Sequence, residues 1–290
     1  MKQVRKLSSI SNTLLMITSI YNSLTKAEKK VADAVLRDPE EAVLATVTDL
    51  AEKAAVGETS VIRFCRKLGF HGYHEFKLAI AQDLVTAPTH ISGGHIDDGD
   101  DSATIVGKIT ANNVQMLQDA MDFIDVDALN DAVRLLLGGE RILIYGVGSS
   151  GITALDAHYR FMRLGLNVEI QRDAHIIAMS AALVRNGDIV FGISTSGSTK
   201  DLVDPIKQAK QNGAKIICLT SHAKSPITTY ADTVLLSPSK ESPYQGGALS
   251  TKIAQIHIIE VLSNLIMMEK KEAAFDSIKK TASAVASKLY

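Results

Sequence analysis

The sequence predicts an all-α N-terminal domain followed by an α/β domain with a doubly wound, parallel five-stranded sheet. Residues 1–85 show helical periodicity and little that is typical of strands. Residues 85–102 are rich in Gly and Asp and lack periodicity, which indicates a linker. Beyond them, short apolar runs alternate with amphipathic stretches, as a parallel sheet covered on both faces requires. We therefore expect domains at 1–84 and 103–290, joined by the linker.

Two capping boxes mark the beginnings of helices. In residues 25–28 (TKAE) and 46–49 (TVTD), a threonine hydroxyl accepts a helix N–H, and an acidic residue three positions later reaches back. The first of these helices should end at Asp38, because the residue before a proline is disfavoured in the α conformation. The second should run to Ala54, where a break precedes the next helix.

A third helix is expected from Glu58, with Gly69 as its left-handed stop. Val61, Cys65 and Leu68 recur on its inward face. This helix and the preceding one form a pattern typical of a helix-turn-helix, whose second helix enters the major groove of DNA. Hydroxyl and guanidinium groups on the outward face can reach bases and phosphates, although an ordinary solvated helix presents the same groups. The candidate DNA contacts are Thr59, Ser60, Arg63, Arg66 and Lys67.

Five apolar runs rich in Val, Ile and Leu predict the parallel strands of the second domain. The runs are RILIYGVG (141–148), NVEIQ (167–171), DIVFGIS (188–194), KIICLT (215–220) and DTVLLS (232–237). Helices are expected at 103–122 and 126–137 before the sheet and at 246–270 after it. The apolar N-terminal stretch is interpreted as a helix rather than as a signal sequence, because Ser, Asn and Thr interrupt it.

The composition is that of a globular chain, with 290 residues of which 46% are hydrophobic and 22% charged. The balance of 31 Lys and Arg against 32 Asp and Glu excludes a chain that is basic throughout. Residues 1–85 carry 12 basic against 10 acidic side chains, so any basic surface is small and local. Cys65 and Cys218 lie in apolar surroundings, which predicts buried reduced thiols and a cytoplasmic protein. No apolar run reaches the ~18 residues of a membrane span.

A glycine-rich loop follows the first predicted strand and opens a helix. Residues 146–151 (GVGSSG) match the G-x-G-x-x-G pattern of dinucleotide-binding folds, and Asp173 follows at a suitable distance. The same pattern also occurs in other phosphate-binding folds and in tight turns that bind nothing. On its own, this loop leaves a nicotinamide or flavin site, a phosphate site and a ligand-free turn open.

A second loop, residues 194–199 (STSGST), follows the third predicted strand. A dinucleotide fold has no need of so many hydroxyls there, whereas phosphate accepts hydrogen bonds from hydroxyls and from helix N-terminal N–H groups. Gly197 allows the backbone to close around an anion. Both loops lie at the carboxyl ends of strands, where open α/β sheets bind ligands. The pair predicts a phosphomonoester site.

From about Ile105 to Glu269 the chain resembles the sugar isomerase (SIS) domain, a flavodoxin-like phosphosugar-binding fold. In that family, an S-x-S-G-x-T loop binds the phosphate and a G-x-G-x-S turn lines the sugar side. Regulators of this type also often carry an Asp-x-His after the second strand, although a lone histidine is equally well a packed or capping residue. The resemblance implies effector contacts at Ser194, Ser196, Gly197 and Thr199, at Gly148, Ser149 and Ser150, and at His175.

Domains of this kind serve either as isomerases or as sensors. Aldose–ketose isomerisation needs a general base within reach of the substrate. Many isomerases of the family have Glu directly after the glycine of the phosphate loop, where this chain has Ser198. Glu241 or Glu260 could supply a carboxylate, but each is more simply a solvated charge. We expect no catalytic residue, metal or cofactor, with a sugar-phosphate isomerase as the alternative.

Residues 49–77 resemble the N-terminal domain of RpiR-type transcriptional regulators, and the order of domains is similar to that family over nearly the full length. Two positions depart from the family pattern: Ala55 stands where the turn usually has Gly, and Gly57 where the helix usually has a Ser cap. The resemblance implies a regulator, repressor or activator, of sugar or amino-sugar catabolism genes. Its partners would be a double-stranded DNA operator, a phosphosugar effector and further copies of the chain, as a dimer or tetramer.

Overall fold

The computed structural model describes residues 13–21, 24–86, 96–239 and 249–288. The described residues up to Lys108 form one compact unit, and those of 109–239 and 249–288 form a second. Within these ranges, no helix combines the length and the apolar composition that crossing a membrane demands.

The first unit is all-helical, as the sequence predicts. Its helices are α1 (Thr13–Ile20), α2 (Lys26–Arg37), α3 (Pro39–Leu44), α4 (Val47–Lys53), α5 (Glu58–Lys67) and α6 (Tyr73–Thr86), followed by the beginning of α7 (Ser102–Phe123). Residues 96–101 of the predicted linker form turns and irregular backbone, and residues 87–95 lie outside the described ranges.

Both predicted capping boxes are present. The Thr25 N–H donates to Glu28 at 2.8 Å and the Glu28 N–H donates to the Thr25 hydroxyl at 3.4 Å. The pair of Thr46 and Asp49 makes the same two bonds at the beginning of α4. Helix α2 ends before Asp38 as predicted, but the chain then re-enters a helix at once, because the Asp38 carboxylate caps α3.

Aromatic rings at the end of the helical segment hold the first unit together. Phe64 of α5 and Phe76 of α6 are fully buried and pack edge-to-face with their centroids 5.5 Å apart. Phe70, in the connection between these helices, meets Phe76 at 5.6 Å. Such pairs contribute about 0.5–1.5 kcal/mol beyond their area burial, so α5 is held rigidly against α6.

The second unit contains the predicted parallel sheet of five strands, in the order β2-β1-β3-β4-β5. The strands are β1 (Arg141–Tyr145), β2 (Val168–Gln171), β3 (Asp188–Ile193), β4 (Lys215–Thr220) and β5 (Thr233–Leu236). The helices are the rest of α7, α8 (Val126–Gly138), α9 (Ser149–Arg163), α10 (Ala174–Ala182), α11 (Lys200–Gln211), α12 (Leu249–Lys270) and α13 (Glu272–Ala286).

Both faces of this sheet are buried. In β1, Ile142 and Ile144 join the core on one face, which α8, α9 and α12 cover. Leu143 and Tyr145 join the core on the other face, which α10 and α11 cover. This is why the strands read as continuous apolar runs rather than as alternating ones, and the doubly wound architecture predicted from those runs is confirmed.

Candidate functional site

The loop after β3 is folded tightly around Gly197. The buried Ser194 hydroxyl accepts the Gly197 N–H at 3.1 Å, and the Gly197 carbonyl accepts the Ile227 N–H at 3.0 Å. Gly197 has a φ of +61°, and a Cβ at this position would overlap the Ser225 hydroxyl. Only glycine meets both conditions, so the sequence expectation for this position has a concrete structural basis.

Hydroxyl groups line the rest of this loop. Ser196 is exposed, and its hydroxyl accepts the Ser198 N–H at 3.3 Å. Thr199 is the N-cap residue of α11, yet its hydroxyl makes no capping hydrogen bond. The hydroxyl of a threonine at an N-cap normally accepts a hydrogen bond from a backbone N–H in the first turn of the helix. Here that hydroxyl and the first N–H groups of α11 remain available to an acceptor from outside the chain.

The loop after β1 is built on close backbone contacts. A Cβ on Gly146 would lie 2.8 Å from the Ser150 carbonyl oxygen, and one on Gly151 would lie 3.0 Å from the Gly146 carbonyl oxygen. Gly148 is the N-cap of α9 with a φ of +56°. The three glycines of this loop therefore let the chain turn sharply from β1 into α9, and Ser149 and Ser150 lie in the first turn of α9.

The sheet brings the two loops together. β1 and β3 are adjacent, and Tyr145, the last residue of β1, pairs in register with Gly192. The loops therefore emerge side by side from the same edge, one strand spacing or about 4.8 Å apart. The serine and threonine residues predicted from two separate motifs therefore lie on neighbouring loops at one edge of the sheet.

A buried chain of hydrogen bonds holds the loop after β3 to two helices. The Thr153 hydroxyl on α9 donates to Gln255 on α12 at 3.1 Å, and the Gln255 amide donates to the Thr195 hydroxyl at 3.0 Å. Nearby, the Lys252 ammonium donates to the Ser149 carbonyl at 3.1 Å and to the Ser149 hydroxyl. Neither Lys252 nor Gln255 was a sequence-based candidate, because their partners lie far away along the chain.

His175 lies at the beginning of α10, after β2. Its backbone N–H and that of Ile176 donate to the Asp173 carboxylate at 3.0 Å, so Asp173 caps this helix. The His175 side chain is exposed, and among the described residues it makes no hydrogen bond to either loop. The fold brings the serine loops together but leaves His175 on the neighbouring strand connection.

The carboxylates considered for catalysis do not gather at this site. Glu260 is exposed on α12, as expected of a helix surface residue, and Glu241 lies outside the described residues. The Asp173 carboxylate, which a dinucleotide fold would use on ribose, is engaged with two N–H groups of α10. Across the described ranges, no group of three or more His, Cys, Asp or Glu side chains has the geometry of a metal site.

The helix-turn-helix is formed by α4 and α5. Thr59, Arg63, Arg66 and Lys67 are exposed on α5, and Val61, Cys65 and Leu68 are buried, as predicted. The outward placement of Ser60 was wrong: the residue is only 9% exposed, and its hydroxyl accepts a hydrogen bond from Arg63 at 3.3 Å. Phe64, which the pattern of inward residues omitted, is fully buried.

The cationic side chains on the exposed face of α5 are not equivalent. Lys67 forms an ion pair with Glu28 of α2 at 3.1 Å, so its ammonium is held against the body of the unit. Burial raises the pKa of Glu28, but hydrogen bonds from Thr25 and Lys67 outweigh it and the pKa is lowered. Arg63 and Arg66 form no ion pair within the described ranges and extend from the exposed face.

The sequence and fold were compared with known proteins. Residues 11–87 match the family model of the rpiR-family helix-turn-helix domain, and residues 135–265 match that of the SIS domain. The chain is 37% identical over 277 residues to an HTH-type transcriptional regulator of Haemophilus influenzae, covering 94% of this chain and 96% of that protein. It is 33% identical over 262 residues to the HTH-type transcriptional regulator HexR of Pseudomonas aeruginosa, covering 90% and 91%.

The fold is also similar to that of a solved protein over nearly its whole length. NanR of Vibrio vulnificus, solved in complex with ManNAc-6P, aligns with a TM-score of 0.86 at 30% identity, covering 96% of this chain and 99% of that one. The two relatives from Haemophilus influenzae and Pseudomonas aeruginosa are both named as transcriptional regulators. This chain belongs to the rpiR family of HTH-type transcriptional regulators, with a C-terminal SIS domain.

Proposed function

We propose that a phosphosugar bound by the loops after β1 and β3 controls operator binding by α5. The observation that carries this proposal is the loop of residues 194–199, where Gly197 closes the backbone and the Thr199 hydroxyl is not used on its own helix. Such a loop at a helix N-terminus suits a phosphate dianion. The likeness to NanR, which was solved with ManNAc-6P, supports the same class of ligand.

The predicted effector residues divide into two groups in this proposal. Ser194, Ser196, Gly197 and Thr199 receive the phosphate through hydroxyl and backbone donors. Gly148, Ser149 and Ser150 line the sugar, together with Lys252, whose ammonium already touches Ser149. His175 contacts the sugar from the β2 side. All these residues belong to the proposed sensor domain, residues 103–290. A linker of residues 85–102 joins it to the proposed DNA-binding domain, residues 1–84.

On DNA, the exposed face of α5 lies in the major groove of a double-stranded operator. Thr59 and Arg63 contact base edges, and Arg66 contacts phosphate. The buried Ser60 orients the Arg63 guanidinium from below. Lys67 contributes a phosphate contact that is tuned by its ion pair with Glu28. The regulator acts in the cytoplasm, where the DNA is and where its two buried cysteines stay reduced.

The operator-bound form is a homo-oligomer, of which a dimer is the smallest unit. Helix α9 exposes a stripe of four apolar residues that are each 42% to 55% accessible: Ile152, Leu155, Tyr159 and Met162. Their spacing of three, four and three residues reads the same in both directions along the helix. An antiparallel pair of such helices around a two-fold axis sets Leu155 of one copy against Tyr159 of the other.

The effector site is tested with Ser196→Ala in the full chain. In a thermal-shift assay, a phosphosugar at ~100 times its dissociation constant stabilises the wild type by about 2.7 kcal/mol. Loss of a hydrogen bond to a charged phosphate should weaken binding roughly 10- to 100-fold and make operator binding insensitive to the sugar. Ser277→Ala, a partly buried serine whose hydroxyl donates within α13, is the matched control. A Ser196→Ala protein that responds at wild-type ligand concentrations would disprove the site.

The recognition helix is tested with Arg63→Ala. Removing a base-contacting arginine should cost about 1–3 kcal/mol for each half-site and abolish the preference for operator over unrelated DNA, while phosphosugar binding is unchanged. Arg37→Ala, an exposed arginine at the end of α2, removes the same charge elsewhere in the unit and serves as control. Equal operator selectivity in wild type and Arg63→Ala, measured by gel shift, would refute the assignment.

A further inference from the structure

Arg172 lies at the edge of the proposed effector site and takes no part in the roles assigned above. It directly follows β2, at the edge of the sheet from which both loops emerge. Its aliphatic stem crosses Gly151 in the first turn of α9, where a Cβ on that glycine would lie 3.3 Å from Arg172 Cδ. The stem is thus packed on the glycine loop, and the guanidinium beyond it is in solvent.

The guanidinium has no anionic partner from its own chain. Across the described ranges, the Arg172 side chain makes no hydrogen bond or ion pair. The adjacent Asp173 is not an ion-pair partner of Arg172, because its carboxylate accepts hydrogen bonds from two N–H groups of α10. The first turn of α9 contains no acidic residue, and the cation of Lys252 lies on Ser149 in that turn. An uncompensated cation here adds to an already positive helix end.

The position of Arg172 relative to the phosphate loop fits the length of one ligand. β2 and β3 flank β1 in the sheet, so their carboxyl ends are two strand spacings, or roughly 9.5 Å, apart. An extended six-carbon sugar phosphate is long enough to cross this spacing. If residues 194–199 bind its phosphate and the chain lies across the β1 loop, its far end would come near Arg172.

We propose that Arg172 selects effectors that carry a carboxylate at the end opposite the phosphate, so that the regulator responds to sugar-acid phosphates. The inference rests on the proposed function of the two loops and names the chemical class of their ligand. A guanidinium presents two parallel N–H donors that match the two oxygens of a carboxylate, and a sugar hydroxyl offers no such match. Arg172 is therefore a specificity-determining residue of the sensor.

The test uses two probes that differ only at C1. D-Gluconate 6-phosphate carries a carboxylate there, and D-glucitol 6-phosphate carries an alcohol. Their affinities for the full-length protein are measured by titration calorimetry, for the wild type, Arg172→Met, Arg172→Lys and Ser196→Ala. Arg185→Met, an exposed arginine before β3 at the opposite edge of the sheet, is the matched control.

We expect the wild type and Arg185→Met to bind the acid roughly 10- to 100-fold more tightly than the alcohol. Arg172→Met should lose this preference while it keeps its affinity for the alcohol, and Arg172→Lys should keep part of the preference through charge alone. Equal affinities in the wild type, or a preference that survives in Arg172→Met, would overturn the role of Arg172 while Ser196-dependent binding upholds the site. If Ser196→Ala binds both probes as the wild type does, the proposed site itself fails and this inference with it.

Discussion

Ala55, in the turn of the helix-turn-helix, has a φ of +49°. This left-handed conformation costs a non-glycine residue roughly 1–2 kcal/mol, because Cβ approaches the following carbonyl oxygen. Ala55→Gly removes that strain but adds flexibility to the unfolded chain. We expect a net stabilisation of about 0.5–1 kcal/mol in urea unfolding. Ala27→Gly, within α2, should destabilise by about 1 kcal/mol; if both substitutions destabilise alike, the turn is not strained.

Lys77 on α6 gives the first unit a pH dependence of predictable sign. Its ammonium donates to the Ala45 carbonyl at 2.7 Å, and burial lowers its pKa to about 8. Between pH 8 and 10.5, the unfolded chain keeps a proton that the folded chain has lost, so this residue makes the free energy of unfolding rise with pH by about 3 kcal/mol. Below pH 8, Lys77 is charged in the folded protein as well, and the full cost of burying that charge lowers the free energy of unfolding.

Lys77→Met should remove this rise. The measurement is the difference in unfolding free energy between variant and wild type from pH 7 to 10.5, because burial also raises the pKa of Cys65 to about 12 and opposes the trend above pH 9 in both proteins. The advantage of Lys77→Met should shrink as the pH rises. Lys26→Met, an exposed control, should differ from the wild type by the same amount at every pH. A pH-independent difference between Lys77→Met and the wild type would contradict the lowered pKa.

The residues that sequence reasoning missed fall into two groups. Ser60 and Phe64 were accessible to the helical pattern, because positions 60, 61, 64, 65 and 68 all lie on the inward face of α5. Lys252 and Gln255 were not, because their partners Ser149 and Thr195 come from distant parts of the chain. A motif of adjacent residues is enough to predict a loop. The side chains that contact the loop from distant parts of the chain can be predicted only when the fold topology is known.

At the scale of elements, two glycines flank the recognition helix α5 in different backbone conformations. Gly57, its N-cap, has a φ of −81° and makes no side-chain cap, and Gly69, just after the helix, has a φ of +96°. A Cβ at either position would meet nothing within 4 Å. A side chain therefore meets no steric obstacle at either position, and the two positions differ in their backbone conformation and in whether a hydroxyl can cap the helix.

Gly57→Ser should stabilise the protein by a few tenths of a kcal/mol, because a serine hydroxyl caps the helix better than glycine does. Gly69→Ser should destabilise it by about 1 kcal/mol, because its left-handed conformation disfavours a side chain. Hydrogen exchange of the α5 amides reports both effects at the helix itself. Changes of the same sign in the two variants would show that these backbone assignments are wrong.

Elements with their own local signals were predicted well. The capping boxes located the starts of α2 and α4, and each of the five apolar runs contains one strand of the sheet. The elements without such a signal were not predicted: α3 begins at Pro39 directly after a predicted helix end, and α13 (Glu272–Ala286) follows α12 after a single residue, Lys271, with a φ of +48°. A lysine gives no sign in sequence of a left-handed turn, so one long helix and two shorter ones look alike.

For the whole molecule, the near-neutral charge of the chain averages two unlike units. Among the described residues, α5 presents a small exposed pair of arginines, and residues 1–85 carry 12 basic against 10 acidic side chains, so we expect the electrostatic attraction of a single copy to DNA to be weak. We therefore expect useful operator affinity to need two recognition helices acting together, because linking them makes the second contact intramolecular. In the proposed dimer the apolar stripe on α9 is the surface for that pairing, and the same helix begins at Ser149 in the proposed effector site.

This arrangement predicts that disrupting the stripe weakens DNA binding without touching the recognition helix. Leu155→Glu buries like charges at the centre of an antiparallel α9 pair, so the protein should become smaller in sedimentation equilibrium and lose roughly 100-fold or more in operator affinity. Binding of a phosphosugar to each chain should persist, because Leu155 belongs to neither loop. Val285→Glu, on an equally exposed apolar residue of α13, controls for the added charge. An unchanged assembly size in Leu155→Glu, or the same loss in Val285→Glu, would exclude α9 as the subunit interface.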